Sequence, residues 1–212
     1  VTAAARENAM GGQDMNEKLF DYIAVCPTAF HTCAHSADML RESGYTELCE
    51  ARRWEIVPGG KYFVTRNGSS LIAFRVPAGE IAGFMMTAAH GDSPAFKIKE
   101  NAELSDGNYL RLSVEKYGGM LCAPWLDRPL SVAGRVLVSE GDKLSVKLVD
   151  LKDPCAIIPN VAIHMNRNAN DGMSYNAAVD MLPVWMSSEK GSFRTAVAKA
   201  AGVAEDAIVT GD

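Results

Sequence analysis

The residues from Ile81 to Ala89 form a nearly continuous apolar run that ends directly on His90-Gly91-Asp92-Ser93-Pro94. A short run of this kind, without polar alternation, predicts a strand covered on both faces, the central strand of an α/β sheet. Open α/β sheets bind ligands beyond the carboxyl ends of their strands. Chemically capable groups therefore stand where such a sheet would place a site.

The rest of the chain is compatible with a sheet of that size. Its 212 residues and 22.8 kDa fit one large domain or two small ones, and 48% apolar content is that of a globular protein. Twenty-one Lys and Arg against 26 Asp and Glu leave a net charge of −5, which offers no electrostatic footprint for nucleic acid. No apolar run of about eighteen residues is present, so no membrane helix is expected. Val1–Asp14 lacks the hydrophobic stretch of a secretory signal and is expected to be a loose extension. Five cysteines, Cys26, Cys33, Cys49, Cys122 and Cys155, show no CxxC spacing. Their odd number argues against a disulfide framework, and a reducing cytoplasm is the expected compartment.

Ahead of the apolar run, Leu19, Phe20 and Ile23 recur at helical spacing over Asn16–Cys26, and Pro27 ends the helix. Thr28 is placed to cap a second helix carrying Phe30, Cys33, Ala34, Ala37 and Leu40 on one face, stopped by Gly44. Lys61–Thr65 and Ser70–Val76 flank Asn67-Gly68 and predict a hairpin. Beyond Lys99 the texture changes to turns and short strand-like runs: Tyr109–Lys116, Gly134–Ser139, Lys143–Val149 and Ala162–Met165. Helix returns at Phe193–Ala201, before Gly202. The shift in composition near residue 98 divides an α/β segment from a mostly β segment.

Three places can carry chemistry. In His90-x-Asp92 a neutral imidazole could bind zinc while the carboxylate fixes its other ring nitrogen. Spacing alone leaves open an ordinary hydrogen-bonded loop pair. His31 and His35 share a helical face, but Thr32 stands where an HExxH helix has its glutamate, so a capping or surface role is expected. His164 lies in Ile158-Pro159-Asn160-Val161-Ala162-Ile163-His164-Met165-Asn166-Arg167, read as an apolar strand closing in a polar cluster, where a satisfied strand-end histidine stands against a catalytic one. Between these stretches, Tyr117-Gly118-Gly119 through Trp125, Asp127-Arg128 and Ser131 reads as a packed turn in which Asp-Arg could pin a loop or an interface by bidentate pairing.

In combination these stretches resemble the aspartyl aminopeptidases, a family of cytosolic two-zinc exopeptidases. Three blocks carry the resemblance: His90-Gly91-Asp92-Ser93-Pro94 with Phe96-Lys97-Ile98-Lys99; Tyr117-Gly118-Gly119 through Trp125, Asp127-Arg128, Leu130-Ser131 and Ala133-Gly134-Arg135-Val136; and Ile158-Pro159 with Ala162-Ile163-His164 and Arg167. Pro27-Thr28-Ala29-Phe30-His31 is also similar to the family's opening helix boundary.

The resemblance implies an α/β fold class: part of a zinc-peptidase-type α/β catalytic domain followed by an inserted β-rich dimerisation domain. Residues 1–15 would be an N-terminal extension, 16–97 the first part of the catalytic domain, and 98–212 the dimerisation domain. It implies that His90 is a zinc ligand, that Asp92 orients it, and that His164 reaches a neighbouring subunit's active site to contact the substrate carbonyl. It further implies a peptide substrate with an acidic N-terminal residue, and a homo-oligomer of dimers, up to a dodecamer. Members of the family are about twice as long, and the bridging aspartate, general base and remaining ligands fall in the half not represented here. A chain with so few ligands is expected to be inactive alone, and a non-catalytic oligomerisation module is the rival expectation. Gly91 for the usual Thr is expected to be tolerated because that side chain is not a ligand, whereas Cys122 and Ala123 for Trp and His, and Pro129 for an acidic residue, bear on loop contacts and substrate preference.

Overall fold

A computed structural model describes residues 3–187 and 191–212, with side chains from 14 to 186 and from 191 onward. The chain separates into two compact units, Val1–Asp92 and Ser93–Asp212. The expected boundary after residue 97 falls inside a β-strand of the second unit, Ala95–Ser105.

In the first unit, α1 (Ala3–Val25) and α2 (Ala29–Glu42) precede β1 (Thr46–Leu48), β2 (Lys61–Arg66) and β3 (Ser70–Arg75). The loose extension expected over the first residues is instead the start of α1, which runs unbroken through Gly11-Gly12. Apart from Asn8, the residues Ala3–Met10 are Ala, Arg, Glu and Met, strong helix formers that offset the glycines. Thr28 caps α2, its hydroxyl accepting from His31 N, and the helix closes before Gly44, whose φ of 79° suits glycine. The sheet order is β1-β2-β3, with β1 parallel and β3 antiparallel to β2. Asn67 and Gly68 both take positive φ in the β2–β3 turn, the geometry that Asn-Gly favours. Tyr62, Phe63 and Val64 of β2 are all buried, as are Cys33 and Ala37 of α2. Phe63 is fully enclosed, with the Arg41 guanidinium of α2 over its ring.

The central strand expected at Ile81–Ala89 does not form. No backbone hydrogen bond reaches these residues among those described, and Phe84, Met85 and Met86 are 85, 104 and 88% exposed. A strand exists only where neighbours complete its ladder, and here none does.

The second unit contains β4 (Ala95–Ser105), β5 (Tyr109–Tyr117), β6 (Ala133–Glu140), β7 (Lys143–Asp150), β8 (Val184–Ser187), α3 (Phe193–Ala201) and β9 (Ile208–Gly211). They form two antiparallel sheets, β4-β5-β8 and β7-β6-β9. Alternation places Val136, Val138, Val149 and Ile208 on one face of the second sheet, where Val197 and Ala198 of α3 cover them. Leu112, Val114 and Trp185 form the core under the first sheet, and Phe193 packs against both clusters, meeting Trp185 edge-on. The strand expected at Ala162–Met165 is a turn closed by Met165 N donating to Ala162 O, and Ala162 at φ 110° cannot continue a strand. No helix is long and apolar enough to cross a membrane among the described residues.

Candidate functional site

His90 follows the unpaired apolar segment rather than a sheet strand, and its side chain is 80% exposed. Its Nδ1 lies 2.9 Å from the backbone O of Asp92 and 3.2 Å from Asp92 Oδ1. A carbonyl oxygen can only accept, so Nδ1 carries the proton and donates. In the neutral ring Nε2 then keeps its lone pair, the form in which histidine binds a metal. The pair proposed from spacing is thus a real contact. Gly91 between them is close to α2: a Cβ there would stand 3.3 Å from Thr32 Cγ2, while Thr32 Oγ1 donates to Thr28 O. Glycine at 91 and threonine at 32 fit one another, a match between distant positions that sequence spacing does not show.

Zinc requires about three protein ligands at a catalytic site. His90 fits as one of them. Among the described residues no group of three or more His, Cys, Asp and Glu side chains is arranged to hold an ion.

His31 and His35 are engaged locally. Thr28 Oγ1 is 2.8 Å from His31 Nδ1, and the His35 ring packs on Tyr22 at 5.4 Å. Both fit the capping and surface roles expected of them.

His164 lies in the second unit, exposed on the 162–165 turn together with Val161, Ile163 and Met165. The base of this loop is built tightly. Ile157 exchanges two backbone hydrogen bonds with Val184, and Ala156 two with Leu130. Ile158 is buried and accepts from Asp127 N at 2.9 Å. Asp127 Oδ1 accepts from Asn160 N at 2.7 Å and from Val161 N at 3.0 Å. Asn166, buried, donates from Nδ2 to Asn160 Oδ1 at 2.8 Å and closes the loop. A loop is pinned here, but by Asp127 accepting backbone N–H groups rather than by the bidentate pairing expected, and Arg128 turns to Pro124 O. Which loop Asp127 pins is invisible to a reading of local sequence, because the partners are 33 and 34 residues away.

The chain as a whole is similar to known proteins. Residues 22–208 match the family model of the aminopeptidase I zinc metalloproteases, M18. A probable M18 family aminopeptidase 2 of Azotobacter vinelandii is 41% identical over 191 residues, covering 88% of this chain and 44% of the relative. The structure of Chaetomium thermophilum mApe1 superposes with a TM-score of 0.80 at 32% identity, over 92% of this chain and 48% of that one. The Saccharomyces cerevisiae mApe1 dodecamer gives a TM-score of 0.74 at 25% identity, over 94% and 47% of the two chains. The chain belongs to the M18 family of zinc metallopeptidases. It spans less than half the length of the curated relative it matches.

Proposed function

We propose that this chain is part of a zinc-dependent aminopeptidase that removes N-terminal, acidic residues from peptides in the cytoplasm. The observation that carries the reading is the His90–Asp92 contact, which leaves Nε2 of an exposed imidazole open to a metal in a chain of the M18 family. The remaining ligands of a two-zinc centre, and the acidic general base, come from sequence beyond these 212 residues; the length of the relatives supports this. The first unit, up to Asp92, contributes to a catalytic domain and the second, from Ser93, to a dimerisation domain.

When bound, zinc supplies Lewis-acid polarisation of the scissile carbonyl and activation of water. Asp92 holds the proton on Nδ1 and the plane of the ring, so that Nε2 is oriented before a ligand arrives. His164, on its exposed loop, contacts the substrate carbonyl in a neighbouring subunit. Three large apolar side chains around it suit a loop seated on another chain, and the dodecamer of a related protein is consistent with such an assembly. The second reading is a non-catalytic oligomerisation module, with which the dodecamer of a related protein is also consistent.

The test is hydrolysis of a panel of aminoacyl substrates by a protein of the relatives' full length. Turnover highest on N-terminal Asp or Glu, lost on chelation and restored by zinc, is the expected result. Turnover indifferent to chelation would reject the reading.

A further inference from the structure

We propose that Asp127 is a positioning residue that holds the His164 loop in its working shape; this rests on the reading of His164 given above. Two backbone N–H groups, from Asn160 and Val161, converge on one oxygen, Asp127 Oδ1. Asp127 reaches this arrangement at φ 54°, a left-handed conformation that Asp tolerates through its short polar side chain. Its own N–H donates to Ile158 O, so the residue grips the loop's entry on both sides of Pro159.

The loop needs that grip. Ala162 sits at φ 110°, where a residue with a Cβ is strained, and Val161, Ile163 and Met165 gain little from burial. Left to itself, such a segment would relax. Asp127 at the entry and the Asn160–Asn166 bond across the base fix both ends, and His164 lies between them. Asp127 touches neither metal nor substrate in this scheme. It acts by limiting where the imidazole can point, which matters to the reaction because misplacement of a contacting group by about 1 Å can cost on the order of a hundredfold in rate.

Both bonds end on a single acceptor oxygen, which gives a clean pair of variants. Asp127→Asn keeps an acceptor and tolerates the left-handed backbone; Asp127→Gly keeps the backbone freedom and removes the acceptor. In a protein of the relatives' full length, amide exchange at Asn160 and Val161 is measured together with kcat and KM. Asp127→Gly is expected to lose protection at both amides by at least about tenfold and to lower kcat by a similar factor, and Asp127→Asn to restore both. On a His164→Ala background Asp127→Gly should lower kcat no further. Unchanged amide protection in Asp127→Gly, or an equal loss of kcat with and without His164, overturns the proposal. Full activity of His164→Ala alone would instead remove the role of His164, while the amide exchange still decides what Asp127 holds.

Discussion

The chemistry proposed for this chain rests on two atoms of one residue, the ring nitrogens of His90. The contact with Asp92 was legible because two positions of separation let a carboxylate reach a neighbouring imidazole, and the structure adds the backbone carbonyl that fixes the tautomer. The caps were legible for the same local reason: Thr28 ahead of α2 and Gly202 behind α3 stand where their side chain or backbone freedom is needed. Contacts between distant positions, such as Gly91 with Thr32 or Asp127 with Asn160, depend on the folded path and left no local signal. Thr28 binds both the backbone and the ring of His31, so Thr28→Ala should destabilise the protein by about 1 kcal/mol. A fall of roughly 2–4 °C in the thermal midpoint would register it; no change would mean that the cap is redundant.

Elements held by local pattern appear where periodicity puts them: the β2–β3 hairpin, β5, β6, β7 and α3. Those that depend on distant partners do not. β4, β8 and β9 escape a local reading because their places are set by β5 and β6, and Ile81–Ala89 reads as a buried strand yet finds no neighbours. Its pattern is that of a strand sandwiched between others, and such a strand forms only beside partners that complete its ladder. In the 212-residue chain, Phe84→Lys with Met86→Lys should suppress self-association while shifting stability by less than about 0.5 kcal/mol per site. Sedimentation and chemical denaturation measure the two effects. A large loss of stability would show that these side chains are packed.

At the scale of the whole chain, Asp212 adds an ion-pair link between the two sheets of the second unit, whose cores also meet at Phe193. The Asp212 carboxylate meets Lys97 of β4 at 2.5 Å and Arg135 of β6 at 3.3 Å. The Lys97 hydrogen bond, more than Arg135, holds the Asp212 carboxyl below the usual aspartate range, against a partial desolvation that raises it. A carboxylate depressed in the folded state stabilises above its unfolded value and loses that contribution as pH falls through the folded one. Asp212→Asn should therefore be less stable than the parent at pH 7, and the gap should close on acidification below about pH 3.9; a gap independent of pH would exclude the ion pairs as its source. The fold class was legible as mixed α/β, whereas of the proposed metal centre only one corner, His90, was legible. The most direct test of that corner is the zinc content of a protein of the relatives' full length, measured with and without His90. We expect His90→Ala to lose bound zinc and Asp92→Ala to weaken zinc binding by about 10–100-fold. Full zinc occupancy at unchanged affinity in His90→Ala would contradict the account.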